Sequence, residues 1–293
     1  MLPLLLYALA AQTPAGGAGP LESRLREIIA SSGAEVSVAY RTLDGRSEVL
    51  IDPDRSFHAA STMKVPVMIE LFAQASEGRL SLADTLAVRN EFRSIVDGSL
   101  YRLSEGDDSD REVHAALGRT LTLQALCELM IRRSSNFATN LLVDRLGVER
   151  IQATVVRLGA DGMRVMRGVE DGKAFEKGLN NSTTARALLT LFEKLARKEA
   201  VDPQSDAIML EILKGQQFTE GIPAGVPPGT TVAHKTGNIT RIHHDAGIVY
   251  GPRPYVLVLL VRGMEDRKAS GAIIAELSRT VYGSASRLET TAP

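Results

Sequence analysis

A single cysteine, Cys127, is all the thiol that this 293-residue chain carries, so no disulfide can form within it. It falls among Leu123, Leu126, Leu129 and Met130, which reads as a small buried hydrophobe. Excess charge is missing too: Lys and Arg number 34, Asp and Glu 35, and the net charge of -1 offers no handle for nucleic acid or an anionic membrane surface. The one long apolar run, Met1 to Ala11, is too short to span a bilayer as a stable helix, so no stable membrane span is expected. With Ala8-Leu9-Ala10 as a small-residue cleavage signal, residues 1–20 instead read as an export signal peptide and linker, although no Lys or Arg precedes the run. A periplasmic or secreted protein is the expectation, and oxidising compartments permit disulfides without requiring them.

What is present suits a globular chain: 44% hydrophobic and 24% charged residues can bury a large core in one or two domains. Leu21 to Ser31 has helical spacing, and Val36, Val38 and Tyr40 alternate as a strand before the Asp44-Gly45 turn and a partner strand near Glu48 to Ile51. Helical spacing then dominates, at Ser61 onward, Leu121 to Leu146, Val148 to Leu158, Thr183 to Ala196 and Ala207 to Leu213. Strand-like segments return at Thr231 to His234, Ala246 to Tyr250 and Tyr255 to Val261, before a last helix from about Lys268 to Val281. The simplest packing is an α/β (α+β) architecture, one antiparallel sheet built from both chain ends and flanked by helices, with the middle of the chain as an all-α lobe. The expected domains are a discontinuous α/β unit over 21–60 and 203–285, a helical unit over 61–202, and a tail at 286–293.

Ser61-Thr62-Met63-Lys64 is the only S-x-x-K in the chain and opens a helix-spaced apolar run. Residues three apart share a helix face, and a serine at the N-terminus meets the positive end of the helix dipole, which favours an oxyanion there. Ser134-Ser135-Asn136 follows within a helical region, and Lys235-Thr236-Gly237 closes a strand-like run. S-x-x-K, S-x-N and K-T-G, in that order, make the chain resemble the class A β-lactamase and penicillin-binding-protein superfamily of serine hydrolases. The resemblance extends from about Leu21 to Gly283.

That resemblance implies a β-lactamase/DD-peptidase-like fold and a set of roles. Ser61 would attack an amide carbonyl, with its own backbone N–H and that of Asn238 forming the oxyanion hole. Lys64 would take or relay the serine proton, and Ser134 would pass a proton to the leaving nitrogen beside Lys235. Asn136 would bind the substrate's side-chain amide, and Thr236 and Gly237 the substrate near its carboxylate. Glu176-Lys177-Gly178-Leu179-Asn180 reads as E-x-x-L-N, in which Glu176 would activate the deacylating water and Asn180 steady it. Glu170 and Asp171 are rival carboxylates.

Departures from the pattern are clear. Ser135 stands where the pattern has aspartate, removing a carboxylate that often braces the site, and the loop after Asn180 is short. The polar segment Arg89 to Arg111, with Asp107, Asp108 and Asp110, reads as a solvated surface loop. His244 falls where many β-lactamases carry a carboxylate-binding arginine, and Arg241 is the other cationic candidate. His234, His243, His244 and Asp245 could suggest zinc, but alternation sends neighbouring side chains to opposite sheet faces, so neither a metal nor any other cofactor is expected. His58 and His114 look incidental.

Three functions stay open: a class A serine β-lactamase, a DD-peptidase-like or other serine acyl hydrolase that deacylates β-lactams poorly, and a non-catalytic β-lactam sensor. Their shared partner is a small β-lactam or a peptidoglycan-like peptide, and the chain is expected to act as a monomer.

Overall fold

The computed structural model describes residues 19–287, so the export-signal reading of residues 1–20 and the tail from 288 onward lie almost wholly outside the described residues. Helix α1 (Pro20–Ser32) begins with a proline, whose missing N–H has no partner to lose in the first turn, and ends at Gly33 in the left-handed conformation. Strands β1 (Glu35–Thr42) and β2 (Glu48–Ile51) form a hairpin about Asp44-Gly45. Strand β3 (Phe57–His58) leads into a 3-10 turn, Ala60–Met63, and then α2 (Lys64–Ser76). Short pieces follow: β4 (Thr85–Ala87), β5 (Phe92–Arg93), β6 (Leu100–Tyr101), α3 (Glu112–Ala115) and β7 (Thr120–Thr122). Then come α4 (Leu123–Arg132), α5 (Asn136–Leu146), α6 (Val148–Arg157), α7 (Gly172–Glu176), β8 (Ser182–Thr183), α8 (Ala185–Ala196) and α9 (Pro203–Lys214). Strands β9 (Thr231–Ile239), β10 (Ile242–Tyr250) and β11 (Tyr255–Arg262) precede the final helix α10 (Arg267–Arg287).

The main sheet runs β2-β1-β11-β10-β9, antiparallel throughout. Pairing of β1 with β11, Val38 opposite Leu259, is what brings the two ends of the chain into one sheet. Leu25, Tyr40, Leu257, Leu259, Ile274 and Leu277 form the core under α1 and α10. The other face, with Ala39, Val258, Leu260 and Ile248, packs into a larger core shared with α2, α4, α5 and α8. Strand β11 is buried on both faces, which is why Tyr255 to Val261 is an unbroken apolar run rather than an alternating one. Among the described residues no helix is long and apolar enough to cross a membrane.

The middle of the chain, expected to be all-α, also carries the short strand pairs β4–β7 and β5–β6, and among the boundaries that differ from the sequence expectation two matter at the site. The helix-spaced stretch Leu121 to Leu146 is broken between α4 and α5, where Ser134 adopts φ 57 and the Ser135 hydroxyl caps α5 by accepting from the Ala138 N–H. A serine that bonds the backbone locally ends one helix and starts another, which apolar periodicity alone does not reveal. K-T-G also does not end its strand. Strand β9 continues to Ile239, because it pairs with β10 as far as Ile239 opposite Ile242.

Candidate active site

Ser61 sits in the 3-10 turn ahead of α2, and the Lys64 N–H donates to the Ser61 and Thr62 carbonyls. The residue before it, Ala60, holds φ 45, and its N–H donates to His58 Nδ1 at 3.0 Å. The edge strand β9 lies hard against this turn. A methyl group added at Gly237 would meet Ala60 Cβ and Thr62 Cγ2 at 3.2 Å and the Ala59 carbonyl at 3.3 Å, so glycine is what lets the K-T-G strand approach the serine.

Two lysines converge on one serine. Lys64 Nζ donates to the Ser134 carbonyl (2.6 Å), the Asn136 side-chain oxygen (2.8 Å) and the Ser134 hydroxyl (3.2 Å). Lys235 Nζ donates to the same hydroxyl at 3.0 Å and to the Thr236 carbonyl at 2.9 Å. Both ammonium groups are fully buried. Burial pushes Lys64 down to about 7, against the pull of Asp108 and Glu170. Lys235 is also well below the usual lysine range, first through burial and then through repulsion from Lys64. The arrangement places the Ser134 hydroxyl between two buried lysines, of which Lys64 can hold or lack a proton near neutrality.

Beyond Asn136 lies a carboxylate. Asn136 Nδ2 donates to Glu170 Oε1 at 3.0 Å, so the amide links Lys64 to Glu170. Glu170 has φ 59 and is held on both sides. Asn140, one turn after Asn136 on the same helix face, clamps Val169 through its N–H (2.7 Å) and carbonyl (2.9 Å). Asp171 accepts from the Ser94 hydroxyl (2.9 Å), the Ile95 N–H (3.0 Å) and the Ala174 N–H (3.1 Å). A strained backbone persists only where its surroundings over-determine it, and here they do. Burial and the nearby Asp107 raise the Glu170 carboxyl above its usual range. Ser61, Asn136, Glu170 and Asn238 line a common cavity of about 490 Å³ together with His58, Val169 and Phe175. An adjoining hollow of about 280 Å³ adds Ser134, Thr236, His243 and Arg267.

Several expected residues lie elsewhere. Glu176 is exposed at the end of α7 and does not line the cavity, whereas Asp107, Glu170 and Asp171 do, and of these three Glu170 is the one that meets the Asn136 amide. Asn180 is turned to Arg167, whose guanidinium donates to its side-chain oxygen at 2.8 Å. The E-x-x-L-N spacing does not bring Glu176 to the cavity wall because α7 ends on it with its side chain in solvent. His244 cannot act as a carboxylate-binding cation: it is fully buried, Nε2 donates to the His58 carbonyl (3.0 Å), and Nδ1 accepts from the Val261 N–H (3.1 Å). Burial holds it down to about 4, so it is neutral at pH 7. Arg241, at φ 59 in the β9–β10 turn, is spent on the Gly263 carbonyl and lies beside a separate hollow. Two cations with no motif to mark them line the serine's surroundings, Arg167 in the larger cavity and Arg267, from α10, in the smaller hollow.

The segment Arg89 to Arg111 is not simply a solvated loop. Asp110 is buried, the Asp108 side chain is fully buried, and Asp107 lines both hollows. Nor are the two remaining histidines incidental. His58 props the backbone ahead of Ser61, and His114 Nε2 lies 3.3 Å from Asp108. His234 Nδ1 meets Asp245 at 2.8 Å, while His243 Nδ1 meets the Ser270 hydroxyl at 2.9 Å; among the described residues no group of three such side chains could hold a metal.

Residues 20–285 match the model of the β-lactamase enzyme family. The chain is a member of that family. This β-lactamase-family chain is 24% identical to the extended-spectrum β-lactamase PER-1 of Pseudomonas aeruginosa over 278 residues, 89% of this chain and 86% of that one. To a β-lactamase of Bacillus licheniformis it is 27% identical over 279 residues, 89% of this chain and 78% of that one. Among solved structures it resembles a β-lactamase from Sphaerobacter thermophilus (TM-score 0.79, 25% identity, covering 90% and 98% of the two chains). It resembles PBP-A equally well (TM-score 0.79, 26% identity, 91% and 96%). A further match is a PBP-A mutant solved as an acyl-enzyme complex with penicillin G (TM-score 0.76, 26% identity).

Proposed function

We propose that the protein is a serine β-lactamase of the class A type, acylated at Ser61 and deacylated by a water that Glu170 deprotonates. The observation that carries this reading is the continuous chain of hydrogen bonds from the buried Lys64 through Asn136 to Glu170 at the cavity wall, beside a cavity that Ser61 shares. Neutral Lys64 takes the Ser61 proton as Oγ bonds to the β-lactam carbonyl carbon. The Ser61 and Asn238 backbone N–H groups receive the developing oxyanion. As the carbonyl carbon–nitrogen bond breaks, a proton passes through the Ser134 hydroxyl to the leaving nitrogen, with Lys235 holding positive charge beside it. Water then adds to the ester, Glu170 takes its proton, the bond to Ser61 Oγ breaks, and the proton returns to the serine. Thr236 and Arg267 face the substrate carboxylate. Export to the periplasm or exterior suits such a substrate and the apolar segment at Met1 to Ala11.

The second reading, a DD-peptidase-like acyl hydrolase that shares the acylation step, draws support from the equal likeness to PBP-A. A chromogenic cephalosporin followed by colour and intact mass separates the two. Sustained turnover supports the β-lactamase, whereas a long-lived adduct supports the peptidase-like reading. Ser61→Ala is expected to abolish covalent labelling by penicillin, and labelling that persists would refute the assignment of the nucleophile.

A further inference from the structure

We infer that Asp108 supplies, from a separate loop, the bracing carboxylate that Ser135 lacks, and so acts as the positioning residue for Ser134 and Asn136. This rests on the reading of Ser61 as the acylated nucleophile. Asp108 Oδ1 accepts from the Asn136 N–H and Oδ2 from the Phe137 N–H, each at 2.9 Å, and the Ser135 hydroxyl lies 3.5 Å from Oδ2. Those N–H groups open α5, where no carbonyl within the helix can reach them, and a negative charge there is favoured by the helix dipole. The next two residues tighten the same grip. The Ser109 hydroxyl donates to the Arg133 and Ser134 carbonyls at 2.6 and 3.1 Å, and Asp110 accepts from the Arg133 guanidinium at 3.2 Å.

The gripped turn is the one on which Lys64 depends. Two of the Lys64 acceptors, the Ser134 carbonyl and the Asn136 amide oxygen, belong to it, and Ser134 holds a left-handed backbone that three consecutive loop residues fix from outside. The charge of Asp108 also acts on the site. Lys64 is faced by Asp108 and Glu170 from two loops and by Lys235 from β9, while His114 on α3 faces Asp108 and Asp107 faces Glu170. Asp108 holds the Lys64 ammonium up and raises the Glu170 carboxyl, so its neutralisation moves both groups to lower values.

The test measures the rate of acylation by a fluorescent penicillin in the full chain, as a function of pH, with thermal unfolding followed in parallel. Asp108→Asn is expected to slow acylation roughly tenfold to a hundredfold, since it weakens charge-assisted bonds to two backbone donors. The acid limb of its pH profile is expected to move to lower pH, a shift that a merely structural role does not produce. Ser135→Asp alone crowds two carboxylates and is expected to slow acylation as well. Asp108→Asn with Ser135→Asp restores one carboxylate and is expected to recover most of the rate. Wild-type rate and an unmoved limb in Asp108→Asn, or a double variant no faster than the slower single one, overturns the inference. Ser135→Asp keeps Asp108 in place and reads the same contact should Asp108→Asn unfold: a wild-type rate in it overturns the inference. Absence of labelling in the unsubstituted protein would instead defeat the underlying reading of Ser61.

Discussion

Glu170→Gln isolates the deacylation step. Glutamine keeps the size of the side chain and an oxygen that can still accept from Asn136 Nδ2, now at 3.0 Å from Glu170 Oε1, so the link to Lys64 survives while the proton acceptor is lost. The clamps on Val169 and Asp171 do not involve the carboxylate and hold the loop as before. Removal of a positioned general base typically slows the step it serves by about 10²–10⁴-fold. If acylation and deacylation are comparable in the unsubstituted enzyme, a hundredfold drop in the second raises the acylated fraction at saturation from about half to about 99%. Intact mass spectrometry during turnover of a chromogenic cephalosporin reads that fraction directly, while the initial burst of colour reports acylation. Glu176→Gln is the matched control: Glu176 is exposed at the end of α7, and its substitution is expected to change turnover by less than about twofold. An adduct that accumulates in Glu176→Gln and not in Glu170→Gln refutes the reasoning.

Acylation is expected to rise with pH through about 7, because Lys64 acts as a base only when neutral and burial brings it down to that value; a rate flat from pH 5 to 9 in stopped-flow labelling would exclude Lys64 from proton transfer. Gly168→Ala would place a methyl carbon 2.3 Å from the Asn140 side-chain oxygen, forcing apart the clamp on the Glu170 loop. A loss of about 1–3 kcal/mol in unfolding experiments is expected, with a longer-lived acyl adduct, and an unchanged adduct lifetime would show that the clamp does not position Glu170. Arg267→Ala should raise KM for carboxylate-bearing β-lactams by no more than about fivefold, since the guanidinium is exposed and shared with Glu220 at 2.6 Å. His244→Gln should lower the melting temperature with little change in KM, and the reverse pattern in steady-state kinetics would reassign the carboxylate contact to His244.

Local order was legible because local physics produces it. Alternation marked β1, the Asp44-Gly45 pair marked its hairpin, and apolar runs of helical spacing marked α2, α6 and α8. The S-x-x-K, S-x-N and K-T-G segments were legible for a similar reason: each is a short stretch whose chemistry travels with its own residues, and the fold brings Lys64 and Lys235 each within hydrogen-bonding distance of the Ser134 hydroxyl. What spacing could not carry was the path of the loops. Counting along the chain pointed to Glu176, yet a helix of five residues and two clamps from distant elements present Glu170 instead.

The same limit explains His244 and Asp108. His244 was aligned by its offset from Lys235, but strand alternation and the packing of β3 enclose its ring, where burial removes the charge that the role requires. Asp108 looked like one more carboxylate in a polar loop, and only the fold shows that it faces the first turn of α5 across 28 residues of chain. The amino-acid sequence thus determined the sheet-forming ends, the helical middle and the three motifs, since these follow from periodicity and side-chain chemistry within a few residues. Tertiary structure alone decided which carboxylate meets the Asn136 amide, that the His244 ring is enclosed and which aspartate braces the serine turn, because burial and charge pairing are set by neighbours far away in sequence.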